Sequence, residues 1–228
     1  MDNSFFNILE GLPNDIKYIF NSSKMDDGEK LLISDIPIFN SPEFIKSYNL
    51  LSKLCEKNVV MHCLAVSVYV YELGSKIKNK GHNINLELAV IGALLHDIGR
   101  SKTHDIRHGI EGGHILRQYN FDERLALIAE RHIGAGIPKN EAAELGLPEK
   151  DYIPLTLEEK LVAHCDNLIS GTKRVDIDFV VNKFKNRMGV DGEGLNNIKN
   201  NKNNKNQHLP PVIIRILNLN NEINNLLI

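Results

Sequence analysis

The sequence predicts an all-α fold, a helical bundle built around one central buried helix. Three observations predict it. From Ser47 onward apolar residues recur at helical spacing. The segment from Asn85 to Asp97 is apolar nearly all round, as expected of a helix enclosed by others. No internal repeat and no sustained strand alternation competes with that pattern.

Taken in order, residues 1–45 are irregular, with Pro13, Pro37 and Pro42 breaking any long helix, and read as an N-terminal appendage. The first strong stripe, His62, Ala65, Val66, Tyr69, Val70 and Leu73, lies on one helical face and is apolar after its histidine, so His62 points at the core. The central helix follows with Leu86, Leu88, Ala89, Val90, Ile91, Ala93, Leu94 and Leu95. After a short polar loop, His108, Gly112, Ile115, Leu116 and Tyr119 form another stripe. Gly112 and Gly113 each weaken a helix by roughly 1 kcal/mol against alanine, which suggests a close approach of backbones there.

Asp122 caps the next helix, whose common face carries Leu125, Ile128, Ala129 and His132. Residues 138–155 contain Pro138, Gly146, Pro148 and Pro154 and read as a loop holding a short helix at most. Thr156 with Glu159 forms a capping box that opens a helix bearing Leu157, Leu161, Val162, Asp166, Leu168 and Ile169. Helical pattern continues through Asp176 to Arg187 and resumes from Pro211 to Leu227. Between them "NNIKNNKNNKNQ" has too little apolar surface to fold alone and is expected to be flexible. The expected organisation is an appendage at 1–45, a helical domain at 46–187, a flexible Asn/Lys-rich segment at 188–210 and a C-terminal helix at 211–228.

The 228 residues, 42% apolar and 25% charged, suffice for one substantial core. A net charge of −2 gives no basic field for DNA or anionic lipid and argues against RNA, so small ligands are expected. Three cysteines, Cys55, Cys63 and Cys165, sit inside helical patterns and argue against a disulfide framework. The first twenty residues, with Asp2 and Glu10, lack the charge pattern of a secretory signal, and the longest apolar run falls far short of the ~20 residues that cross a bilayer. A cytoplasmic location is expected.

The stripes share one property: each ends or begins, on its buried side, with a residue able to ligate a metal. These are His62, His96 with Asp97, His108, His132 and Asp166. A single core histidine is most often an ordinary hydrogen-bonded residue. Six ionisable side chains converging on one helical core are unfavourable without a cation to coordinate.

The chain here resembles the HD superfamily of metal-dependent phosphohydrolases, whose signature is a histidine on one helix, a His-Asp doublet on a second and a distant aspartate on a later one. His62, His96-Asp97 in "GALLHDIGR" and Asp166 in "LVAHCDNL" hold those positions, and the resemblance covers about residues 50–175. "HGIEGGHIL" at His108 and "AERHIGAG" at His132 look like the extra histidines of members that hold two metals, including bacterial YqeK-like dinucleoside tetraphosphate hydrolases; archaeal HD proteins are similar too.

The resemblance implies an HD-domain-like bundle and two divalent transition-metal ions. Mixed imidazole and carboxylate donors suit Fe, Mn, Co or Ni, with zinc also compatible. Asp97 is assigned as the bridge between ions roughly 3.5 to 4 Å apart, His62, His96 and Asp166 to one metal, and His108 and His132 to the other. The implied reaction is hydrolysis of a nucleotide-like phosphate by a metal-activated water. Arg100, one turn after the doublet, is expected to clamp a phosphate, although many superfamily members carry lysine there. His104, Asp105, Arg107, His114, Arg131, His164, Lys173 and Arg174 are further candidates for orienting ligands or binding substrate. A non-catalytic nucleotide-binding sensor and an RNA-processing hydrolase are the alternatives, and a homodimer is left open.

Overall fold

The computed structural model describes residues 18–20, 30–32, 35–188 and 209–228. The domain begins earlier in the chain than expected. Ser41 caps helix α1 (Pro42–Leu54) by accepting from the Phe44 amide, with Pro42 at the first helical turn, where its fixed φ and missing N–H suit a helix start. Residues 36–45, placed in the appendage by the sequence, therefore belong to the core: Ile36, Phe39 and Phe44 are buried, and Phe39 meets Phe44 and Tyr71 edge to face. The short antiparallel pair β1 (Tyr18–Phe20) and β2 (Lys30–Leu32), in the stretch expected to be irregular, pairs Tyr18 with Leu32.

Extended backbone at Cys55 and Glu56 separates α1 from α2 (Lys57–Asn79). Helix α3 (Leu86–Leu95), capped by Asn85, is buried continuously from Ala89 to Leu95 and packs on α1, α2, α5 and α7, so it is the axis of the bundle. Ser67 on α2 donates to the Val90 carbonyl, fixing α2 against α3. A 3-10 turn, Ile98–Ser101, leads toward α4 (His108–Gln118), which packs on α5 (Glu123–Arg131). The short α6 (Lys139–Glu144) sits in the proline-rich loop, where Ile137, Ala142, Leu147 and Tyr152 form a separate small cluster.

Thr156 caps α7 (Leu157–Asn167), but the Glu159 carboxylate takes the Leu155 amide and Arg131 rather than closing back on Thr156. The helix ends at Asn167. Ile169, read from the sequence as part of its face, instead opens a hairpin of β3 (Ile169–Ser170) and β4 (Lys173–Arg174). Gly171 turns that hairpin at φ +63, the left-handed region that glycine adopts without cost.

Helix α8 (Ile177–Arg187) and α9 (Pro211–Asn225) close the bundle, α9 burying Ile213, Ile216, Leu219 and Ile223 against α7 and α8. Most of the segment expected to be flexible, 188–210, lies outside the described residues. Among the described residues no helix is long and apolar enough to cross a membrane.

Candidate metal centre

Five elements deliver six donors to one point. His62 comes from the first turns of α2, His96 and Asp97 from the end of α3, His108 from the start of α4, His132 from the end of α5 and Asp166 from the last turn of α7. Asp166 Oδ1 lies 2.9 Å from His62 Nε2 and 3.4 Å from His96 Nε2. Asp97 faces both ways: Oδ2 is 3.9 Å from His62 Nε2 and 3.7 Å from His96 Nε2, while Oδ1 is 3.1 Å from His108 Nε2 and 3.5 Å from His132 Nε2. His108 and His132 bring their Nε2 atoms within 3.2 Å of each other.

The backbone decides what those nitrogens can do. His62 donates from Nδ1 to the Gly171 carbonyl at 2.8 Å, which is where the α7 stop and the hairpin become necessary. His96, His108 and His132 each donate from Nδ1 to the carbonyl three residues earlier, Ala93, Asp105 and Ala129, at 2.6, 2.6 and 2.7 Å. A proton held on Nδ1 leaves Nε2 of a neutral imidazole with only a lone pair. In that neutral tautomer four lone pairs and two ionised carboxylates face one another, an arrangement that only an added proton or a cation relieves. His96 Nε2 and Asp97 Oδ1 are buried without a hydrogen-bond partner, the cost that a cation would remove.

The electrostatics express the same demand for positive charge. Burial works to raise the Asp97 carboxyl, but the field of His96 and the approach of His108 and His132 hold it well below the usual range. Burial likewise opposes ionisation of Asp166 and is outweighed by His96 and by the approach of His62. Burial disfavours charge on His96, yet the Asp97 and Asp166 carboxylates draw positive charge to it, whereas burial dominates at His132 and lowers it. The centre is built to remain anionic and to attract a cation.

The residues fit a metal. Two donor sets have all their atoms within 4.8 Å of one another: His62, His96 and Asp166, and His96, Asp97 and His132. Proximity puts His96 in both sets, a sharing that the sequence assigned to Asp97 alone. Cys63 and Cys165 are buried neighbours in the chain whose thiols burial pushes up, and neither joins a donor set. An oxygen and nitrogen donor set without thiolate suits borderline divalent ions.

The centre forms the floor of a cavity of about 540 Å³, the size of a small-molecule site. Arg100 lines it and donates from Nε to Asp97 Oδ2. His104 and Asp105 also line it. The other candidates for orienting ligands or binding substrate are placed elsewhere. Arg131 holds Glu159 and so ties α5 to α7; Arg174 pairs with Glu72 and stacks on Tyr69; Arg107 donates to the Gly146 carbonyl. His114 is exposed beside Glu111, Lys173 is exposed on β4, and His164 is buried. Lys183 and Arg187, which the sequence did not single out, line the cavity from α8. The available signal was the stripe Val180, Lys183, Phe184 and Arg187, where cations interrupt an apolar spacing.

Comparison with known proteins places these residues in a wider group. The HD domain family model matches residues 59–171. The uncharacterized protein MJ0778 of Methanocaldococcus jannaschii is 60% identical over 185 residues, covering 81% of this chain and 99% of that protein. A tRNA (cytidine(56)-2'-O)-methyltransferase of Picrophilus torridus is 52% identical over 100 residues; the match spans 44% of this chain and 29% of the methyltransferase. Among solved structures, the HD domain of the L. monocytogenes phosphodiesterase PgpH aligns with a TM-score of 0.43 at 15% identity, covering 78% of this chain and 97% of that one.

Proposed function

Because the chain belongs to the HD domain superfamily, we propose that it is a metal-dependent phosphohydrolase that cleaves a phosphoester or phosphoanhydride of a nucleotide-like small molecule. The observation that carries this reading is the convergence of four Nε2 lone pairs and two carboxylates at the floor of an open cavity. His62, His96, Asp97, His108, His132 and Asp166 would hold two divalent ions, of Fe, Mn, Co or Ni, or zinc. Bound there, such ions supply an activated water and offset the charge of a phosphate.

The chain's own residues do the rest. Asp97 spans both halves of the donor set with its two oxygens. Arg100 engages Asp97 through Nε, which leaves the Nη ends of its guanidinium for a phosphate oxygen in the cavity. Cavity walls from Ile106, Ile133 and Val180 offer an apolar surface for the organic part of a substrate. No side chain is needed as a covalent nucleophile.

The test is elemental analysis of the purified chain, followed by a panel of dinucleoside polyphosphates, cyclic phosphates and nucleoside monophosphates with each metal. Bound metal near two equivalents and hydrolysis of one class are expected. Absence of hydrolysis across the panel with every one of these five metals would refute catalysis. One observation favours a second reading, RNA as the substrate: a close relative of this chain forms part of a tRNA methyltransferase. Salt-dependent binding of tRNA would favour it, since phosphate contacts release counterions.

A further inference from the structure

Helix α8 contributes the part of the cavity that the metal centre does not explain. Lys183 and Arg187 are four residues apart and therefore neighbours on one face of α8, with Phe184 beside them. All three line the cavity whose floor holds His62, Asp97, His108, His132 and Asp166. Lys183 and Phe184 are half-buried and Arg187 is exposed, which puts the cations at the mouth rather than in the core.

Most of the arginines of this protein are held by carboxylates. Arg117, Arg124, Arg131, Arg174 and Arg215 all sit within ion-pair distance of a carboxylate. Lys183 and Arg187 have no such pair among the described residues, although they share the cavity with Asp97, Asp105 and Asp166. Two of those carboxylates belong to the donor set. The cations are thus left to face the cavity they share with the metal ligands, with Val180 and Phe184 of the same helix lining it beside them.

We propose that Lys183 and Arg187 form a second anion subsite, which holds a non-reacting phosphate of the substrate while the scissile phosphate sits at the metal centre. Phe184 and Val180 then flank the organic group that joins the two phosphates. The substrate class is a molecule carrying two separated phosphates, such as a nucleoside bisphosphate or a dinucleotide. This specificity rests on the phosphohydrolase reading for the identity of the floor, but the subsite itself is a binding property.

Calorimetry of the full-length, Mn-loaded chain tests it with two probes, adenosine 3′,5′-bisphosphate and adenosine 5′-monophosphate. The wild type should bind the bisphosphate about tenfold to a hundredfold more tightly, the size of one or two charge-assisted hydrogen bonds. The double variant Lys183→Gln, Arg187→Gln should bring the ratio close to one, and Lys183→Arg should retain it. Equal affinities in the wild type would overturn the subsite without reference to any variant, and so would a ratio that survives the double substitution. Turnover of bis-p-nitrophenyl phosphate by the same preparation reads the enzyme proposal separately. A bisphosphate preference in a chain that turns over neither this ester nor any member of the substrate panel would uphold the subsite while removing the catalytic reading.

Discussion

The most exposing perturbation of the centre is Gly99→Ala. Gly99 lies in the 3-10 turn directly after the His-Asp doublet, and a Cβ built there stands 2.5 Å from the Gly112 amide nitrogen and 2.8 Å from the His108 carbonyl carbon, closer still to that carbonyl's oxygen. All three atoms are backbone, so no rotamer change relieves the clash. Restoring an ordinary contact of ~3.5 Å requires α4 to retreat by well over ~1 Å, the carbonyl oxygen setting the larger demand. His108 opens α4, and its Nε2 is 3.1 Å from Asp97 Oδ1, so the retreat pulls this donor from the centre. Overpacking of this kind costs about 1–3 kcal/mol, a fall in Tm of roughly 2–12 °C for a chain of this size. Loss of ligand placement should weaken metal binding by ~10-fold or more, as when an outer-shell partner of a ligand is removed.

Gly112→Ala is the internal control. Its Cβ would meet the Ala129 Cβ at 3.3 Å and the Gly99 nitrogen at 3.4 Å, contacts that a small adjustment relieves. Calorimetric titration of the metal-free chain with Mn, with thermal melts in chelator, measures both effects. A Gly99→Ala protein with wild-type metal affinity, stoichiometry and Tm would refute the claim that the turn holds His108 in place.

Two further outcomes are expected. Arg100→Ala should lower turnover and weaken substrate binding by about tenfold, measured as kcat and KM on the first active substrate; unchanged values of both would remove Arg100 as a phosphate clamp. His164 is buried, and burial pushes its imidazole down to about 4. The unfolded chain protonates this group near 6.5 while the native one resists, so its contribution is complete above pH 6.5 and is lost as pH falls toward 4, by about 3 kcal/mol. Urea unfolding of His164→Leu and wild type across that range checks it. A stability difference that does not change with pH would show that His164 does not carry this dependence.

Much of the centre was legible because its donors end helical stripes. His62 and His132 stand where apolar residues would otherwise continue the face, and the all-apolar run from Leu86 to Leu95 marks α3 as the axis. The misjudged places are those where one residue type serves two opposite purposes. Pro42 was read as a breaker, yet after Ser41 it starts a helix. Ile169 continues the α7 stripe numerically, but the chain turns at Gly171 two residues later. Arg131 and Arg174 resembled substrate ligands because their partners, Glu159 and Glu72, lie 28 and 102 residues away. Lys183 and Arg187 were passed over for the converse reason: only the packing of α8 shows which of its faces meets the cavity.

The bonds from the four Nδ1 atoms to peptide carbonyls have a consequence for how freely this protein can change. A carbonyl is present whatever residue supplies it, so no point substitution at Ala93, Asp105 or Ala129 deletes the acceptor that orients its ring; only at Gly171, held at φ +63, does the residue type bear on where the carbonyl points. The ligand arrangement is thereby insulated from drift in the surrounding side chains. Cavity walls can be rewritten, by natural variation or by a protein engineer, while the imidazoles keep their aim.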